Sequence, residues 1–423
     1  MNRSLSIASL AALAMAAPLS AQDSDKPEYP GPNAIVEQAA PEEWLAIAPS
    51  DLLVMDLAPD AEGNSRRVVI QLMPEPFSQG WIRNIRKLAA AHWWDGTSVN
   101  RVQDNYVVQW GDAGYDNPES GETEQKALPD GLETVPESQY VVDGDTLSEF
   151  TRSKKFNEFN QMDAELEALM REAADPKLNE QQQLKIIEAM TKIVDSIGFD
   201  KPTEQEKISL ILIESTQTEL TSQGWHERDS FAHWVELWKG WPLANFSKST
   251  WQNEDGEIVP RPANTQRHIL SQQKIAQQME QNDFWPVHCY GTVGVGRNLS
   301  PDTGSGAELY TVIGHAPRHL DRNIAVVGRV IEGIEHLSSL PRGKGQLGFY
   351  EDADKRVPIT SIRLASTLPK ADQPRFEYLI TEGETFARYA DARANRRDPF
   401  FNVPAGGADI CNIPVPVRRV KTE

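Results

Sequence analysis

Short apolar runs bounded by turn residues occur in two widely separated sets, and the stretch between them has a different texture. The first set contains Asp51–Leu57 (DLLVMDL) and Val68–Leu72 (VVIQL), joined by APDAEGNS. Runs of that length with polar, turn-rich connections read as a β-hairpin. The second set contains Gly291–Val295, Glu308–Ile313, Ile324–Ile331 and Val357–Leu364. A chain that makes its strands at both ends must bring distant segments together, which points to a β fold with an interruption.

Helical spacing appears in between and at the margins. After Pro74 and Pro76, the recurrence of Ile82, Ile85, Leu88 and Ala89 predicts an amphipathic helix over 78–91. A second helix is predicted over 332–340. From 146 to 222 the pattern changes to three capped helices. Phe156, Phe159, Met162, Leu166, Leu169 and Ala173 form the first stripe, closed by Asp175-Pro176. Asn179 with Gln182 opens the second helix, which ends at Gly198, and Thr203 with Glu206 opens the third. The next segment concentrates Trp234, Trp238, Trp241 and Trp251. Aromatics at that density serve a core or an interface, or else line a peptide groove, and both readings stay open. A Gln-rich polar helix follows, from Gln272 to Gln281.

The N-terminus has one positive charge at Arg3, an apolar stretch from Ile7 to Leu19 and a small-residue end at Ser20-Ala21. That is the pattern of a secretory leader cleaved before Gln22. The apolar run is too short to span a bilayer, and no later stretch approaches about 18 uninterrupted apolar residues. Residues 22–48, rich in Pro, Ala and Glu, are expected as an extended lead-in. The formal charge of the 423-residue chain is −20, and removal of Arg3 makes it −21. Phosphate-bearing partners, nucleic acid and anionic membranes, would be repelled. The two cysteines, Cys289 and Cys411, form either a single disulfide or two buried thiols. His288 next to Cys289 lacks the spaced second pair that a metal site needs.

Residues 95–112, DGTSVNRVQDNYVVQWGD, place Arg101, Tyr106, Val107 and Gln109 within nine positions, without a nucleophile or an acid among them. The chain has no Gly-x-Ser-x-Gly elbow, no His-Glu-x-x-His and no phosphate loop, and GTVGVGR at 291–297 fails the dinucleotide spacing. One permanent cation and one amide over an apolar floor suit a reaction that breaks no covalent bond. Rotation about the bond before proline faces a barrier of ~18–20 kcal/mol from amide resonance. A guanidinium that donates to the nitrogen as it pyramidalises lowers that barrier and stays charged at physiological pH.

The segment VNRVQDNYVVQWGD at 99–112 resembles, in length and order, the hallmark F-H-R-V-I-x-x-F-M-x-Q-G-G-D of the cyclophilin-type peptidyl-prolyl cis-trans isomerases. RVVIQLMPEPFSQGWIRNIRKLA, GTVGVGRNLSPDTGSGAELYTVIG and HLDRNIAVVGRVIEGIEHL resemble further family blocks, in family order. The resemblance covers about 50–140 and 285–365. It implies that Arg101 is the catalytic cation and Gln109 its hydrogen-bonding neighbour. Tyr106 stands for a family Phe, Val107 for a Met and Tyr310 for a second Phe; with Leu320 they would line the proline pocket. Gly296 takes the place of a small residue whose backbone meets the peptide. Ile324 replaces a His on the pocket wall, and His319 replaces the Trp found in members that bind cyclosporin most tightly, so weak binding of that drug is expected. Three departures bear on catalysis: Asn100 for His, Trp110 for Gly and Glu308 for Gln. Glu308 brings a carboxylate near the cation, where a salt bridge to Arg101 would hold or divert the guanidinium.

The implied fold is mainly β with some α: a closed antiparallel eight-stranded β-barrel capped by two helices. The expected organisation is a leader at 1–21, the lead-in at 22–48, a discontinuous barrel at 49–142 and 285–365, a helical and Trp-rich insertion at 143–284, and a C-terminal extension at 366–423 that packs on the barrel. The function implied is isomerisation of X-Pro bonds in exported proteins, without metal or cofactor; the leader pattern and the low cysteine count point to a Gram-negative periplasm, with a eukaryotic secretory route left open. The alternative is a catalytically weak cyclophilin-fold binding module whose insertion holds partner proteins.

Overall fold

The computed structural model describes residues 29–114, 124–151, 229–232, 234–247, 251–252, 258–259 and 282–420. The expected leader, the three capped helices and the Gln-rich helix lie outside the described residues. In chain order the elements begin with α1 (Pro32–Glu37), β1 (Trp44–Ala46), β2 (Leu52–Leu57), β3 (Arg66–Leu72), α2 (Gln79–Ala90), β4 (Ser98–Val102) and β5 (Val107–Gly111). Then come β6 (Val142–Asp143), α3 (Gly144–Thr151), β7 (Trp234–Trp238), β8 (Trp241–Ser247), β9 (Trp251–Gln252), β10 (Ile258–Val259) and β11 (Asn282–Pro286). The last set is β12 (Thr292–Val295), β13 (Leu309–Val312), β14 (Val326–Glu332), α4 (Glu335–Ser338), β15 (Val357–Leu364), β16 (Phe376–Leu379), α5 (Glu384–Ala394) and β17 (Val417–Arg419).

Eight strands close a barrel in the order β12-β13-β5-β4-β15-β2-β3-β14. Every pairing in it is antiparallel. Strand alternation sorts the residues. Leu53, Met55 and Leu57 of β2 and Val68, Ile70 and Leu72 of β3 enter the main core, together with Val108, Trp110, Val293, Val295, Leu309, Val327 and Ile359. Ile82, Ile85 and Leu88 of α2 close one end of that core. The residues between them on β2 and β3, Leu52, Val54 and Val69, face outward and are nevertheless buried, under Phe376, Tyr378 and the tail residues Val415 and Val417. A strand covered on both faces reads as a continuous apolar run, which is why DLLVMDL shows no clean alternation.

Two sequence expectations need correction. The helix predicted over 332–340 is only the single turn of α4, because Gly333 sits at φ +83° with its α-carbon against the Arg67 carbonyl, where a side chain would not fit. The lead-in is not extended throughout. Pro32 starts the helix α1, and Trp44–Ala46 pairs with β16 in a three-stranded sheet, β1-β16-β17.

The Trp-rich segment forms a hairpin, β7–β8, within a second sheet ordered β6-β11-β8-β7. Its two-residue turn, Lys239-Gly240, has positive φ at both positions, 46° and 79°, as a tight hairpin turn requires. Gly240 also lies under Tyr378, whose ring would stand 2.8 Å from an added Cβ. Trp238 meets Phe77 edge-on at 5.6 Å and Trp241 lies under the Arg329 guanidinium at 4.6 Å. Both tryptophans are buried, so of the two sequence readings the interface between hairpin and barrel describes them.

Cys289, just before β12, is joined to Cys411 in the tail by a disulfide that closes a loop of 122 residues. A cross-link of that span restricts the unfolded chain by about 4–5 kcal/mol in the loop-entropy account. Cys411→Ser is therefore expected to lower the urea unfolding free energy by up to that amount, and thiol labelling of the unreduced, denatured wild type should find no free thiol.

Candidate active site

The outer face of the barrel carries the site because of register. On β4, one extra residue between Val99 and Arg101 interrupts the pairing with β5. Asn100 is that bulge residue: buried, it accepts from Ser98 Oγ and donates to the Gly111 carbonyl. A bulge re-aims the following side chain, and Arg101 comes out opposite Gln109 of β5. Gln109 is in turn opposite Tyr310 of β13, and Tyr310 opposite Gly294 of β12. Arg101, Gln109, Tyr310 and Gly294 thus form one row across four adjacent strands. One step along, Val107 pairs with Val312.

Val107, Tyr310 and Val312 form a small apolar cluster of their own, against which Tyr106, Leu320 and Ile324 pack. These are the residues assigned to the proline pocket from sequence, with Val312 added. His319 is exposed and stacks on the Tyr106 ring, with centroids 6.1 Å apart and planes at 13°. A Cβ on Gly296 would stand 3.5 Å from Gln109 Nε2, which places the Gly296 backbone beside the row.

The Arg101 guanidinium is held on several sides. Nη1 donates to Gln109 Oε1 at 3.2 Å, Nε donates to the Leu347 carbonyl at 2.7 Å, and Nη2 donates to Gln103 Oε1. Its centre lies 5.7 Å from the Tyr106 ring centroid and 5.4 Å from that of Phe349. Burial pulls its pKa below the ordinary arginine value, while the nearby Tyr106 and Tyr310 act the other way. It stays a cation at neutral pH, and three of its five N–H groups are used, leaving one on each terminal nitrogen. Burial likewise raises the pKa of Tyr106, so its hydroxyl stays neutral beside the Arg101 cation.

Gln103, Leu347 and Phe349 were not singled out in the sequence. The loop 341–350 reaches Arg101 because it follows the free part of the β4 edge. Gly343 N–H donates to the Val102 carbonyl and Tyr350 N–H to that of Asn100, while Gly348, at φ +84°, passes against Gln103. Nothing in the string PRGKGQLGFY marks that contact; only the Gly spacing hints at a tight path.

None of the three departures from the hallmark bonds the Arg101 guanidinium. Trp110 is fully buried in the barrel core. Asn100 is the bulge residue. The Glu308 carboxylate accepts from Asp112 N–H at 2.7 Å and fills the space beside Gly111, where a Cβ would fall 2.0 Å from Oε1. The anticipated Glu308–Arg101 salt bridge is therefore replaced by a backbone bond, and the guanidinium takes neutral acceptors instead. His288 does not pair with Cys289 for a metal: its ring bonds Tyr310 and Asp321, and Cys289 is in the disulfide.

This is a closed eight-stranded barrel with a cation, an amide and an apolar cluster on its outer face. The family model described as "Cyclophilin type peptidyl-prolyl cis-trans isomerase/CLD" matches residues 242–364, so this part of the chain is similar to the cyclophilin-type isomerases. The match contains Gly296, Tyr310, Leu320 and Ile324 and leaves β4 and β5, with Arg101 and Gln109, outside it. Among solved structures, the crystal structure of cyclophilin AquaCyp293 from Hirschia baltica is similar, with a TM-score of 0.50 and 17% identity over 91% of this chain and 99% of that one, which shows the shared fold. No curated protein matches the sequence. Among the described residues no helix is long and apolar enough to cross a membrane.

The row can be tested where it is tightest. A Cβ on Gly294 would come 2.3 Å from the Tyr310 hydroxyl oxygen. Gly294→Ala should displace the ring, lower stability by about 1–3 kcal/mol as overpacking does, and raise KM for a proline peptide; thermal unfolding and steady-state kinetics read the two effects.

Proposed function

We propose that this protein accelerates rotation about X-Pro bonds in exported polypeptides. The observation that carries the reading is the single row of Arg101, Gln109 and Tyr310 beside the apolar cluster of Val107, Val312, Leu320 and Ile324. The proline ring enters the cluster, where water is excluded. The two unused N–H groups of Arg101 face the amide, and one of them bonds the nitrogen as its lone pair localises in the twisted state. Gln109 holds the guanidinium through Nη1, and its amide Nε2 is beside the Gly296 backbone, along which the peptide runs. Because the bond that breaks is only the partial double bond of the amide, neither nucleophile nor metal is needed.

The weak-binding alternative rested on Asn100, Trp110 and Glu308. All three are buried and none bonds the Arg101 guanidinium, which supports catalysis over simple holding. The leader at 1–21 and the Cys289–Cys411 disulfide support export into an oxidising compartment such as the periplasm. A partner held at the insertion is a further part of the proposal, and its segment from 152 to 228 lies outside the described residues.

The assay is isomerisation of a short chromogenic X-Pro peptide by the chain starting at Gln22. Arg101→Ala should lower kcat/KM by about 10²–10³, the range for loss of one preorganised donor. Arg101→Lys should not restore it, since an ammonium cannot meet Leu347, Gln103 and Gln109 at once. Wild-type rates equal to the uncatalysed rate would reject the isomerase reading.

A further inference from the structure

Behind the pocket floor runs a buried polar chain that the reaction itself does not use. Tyr310 is 4% exposed, and its hydroxyl meets Nε2 of His288 at 2.9 Å. His288 is completely buried. Its Nδ1 lies 2.8 Å from Asp321 Oδ1, and its backbone N–H donates to the same oxygen at 3.0 Å. The other carboxylate oxygen accepts from Arg318 Nε at 2.7 Å, and both terminal nitrogens of Arg318 donate to Asp229, Nη2 at 3.1 Å. Arg318 Nη1 also lies 3.9 Å from Asp409 in the tail, two residues before the disulfide.

The donor and acceptor chemistry fixes one link of this chain. A carboxylate only accepts, so Nδ1 of His288 carries the proton that Asp321 receives. Burial raises the Tyr310 pKa well above its ordinary value, so the hydroxyl keeps its proton and is held by a hydrogen bond with Nε2. Burial works against an ionised Asp321, yet the bonds from His288 and Arg318 outweigh it and hold its pKa below the ordinary value. A phenylalanine at 310 would need none of this. Burying a hydroxyl and then a His, two Asp and an Arg to satisfy it carries a desolvation cost that apolar residues would avoid.

The return is geometric. Arg318 and Leu320 share one 3-10 turn, Asp321 caps it, and Ile324 N–H donates to the Leu320 carbonyl at 3.1 Å. The same chain of bonds therefore fixes Tyr310 on the floor and Leu320 with Ile324 on the wall. We infer that His288, Asp321 and Arg318 are positioning residues that set the width of the proline pocket by tethering the Tyr310 hydroxyl to the turn that carries Leu320.

This inference rests on the isomerase reading of the cleft, and its test separates the two. On the full chain from Gln22, KM, kcat and the Kd of one X-Pro peptide are measured for wild type, Tyr310→Phe, His288→Leu and His288→Gln, with thermal unfolding of each. Tyr310→Phe keeps the ring and cuts the tether, so KM and Kd should both rise about threefold to tenfold, by a larger factor than kcat falls. His288→Gln can accept from the hydroxyl through Oε1 and donate to Asp321 through Nε2, so it should bind the peptide more tightly than His288→Leu does. A merely structural role would lower thermal stability in these variants and leave KM and Kd alone, and that result would overturn the inference, as would glutamine performing no better than leucine. If His288→Leu does not fold, the Tyr310→Phe comparison decides. Should wild type bind the peptide without isomerising it, the catalytic reading falls while the Kd series still tests the tether; no binding by wild type sinks both.

Discussion

Everything functional here depends on the register of β5 against its two neighbours. Pairing of Gln109 with Arg101 on one side and with Tyr310 on the other puts cation, amide and aromatic floor in one line on the outer face. Successive strand residues point to opposite faces, so a slip by one position would carry Gln109 and Val107 inward and Trp110 outward. Trp110, fully buried against Leu309 and Val99, makes such a slip costly. The site and the barrel core are thus two sides of the same pairing, and the core anchors the chemistry.

The remaining parts of the chain bear on this row by covering the barrel elsewhere. β16, β17 and the tail bury Leu52, Val54 and Val69 on the far side. The β7–β8 hairpin lays Trp238 against Phe77. The disulfide links the start of β12, the strand that carries Gly294, to the tail. Among the described residues, these parts cover the barrel on sides other than the row of Arg101, Gln109 and Tyr310.

Legibility of the fold in the sequence followed the physics of each element. β15 was read to the residue and α2 to within one position at each end, because turn residues and Pro punctuate those segments and their apolar spacing is regular. The four blocks of family resemblance fell on barrel strands and α2, although β4 and β5 lie outside the matched family model. The β7–β8 hairpin was missed: Trp234, Trp238 and Trp241 drew attention as a cluster, while Lys239-Gly240 is an unusual tight-turn pair. The contacts of Arg101 with Leu347 and Phe349 had no signal, since a loop that runs along a strand edge through backbone bonds leaves no side-chain pattern. The His288–Asp321–Arg318 chain was invisible for a related reason. Its members are spread over three segments, and only a buried hydroxyl at 310 demands that they meet.

The order of strands around the barrel has a consequence for how the molecule comes into being. β4 finds its second partner only in β15, and β3 only in β14, more than 220 residues further on. In a chain synthesised from its N-terminus, β2–β3 and β4–β5 are therefore made long before their outer edges can be paired. Such distant pairings are slow to form and leave sticky edges exposed meanwhile. The barrel is closed only when its last strands are in place.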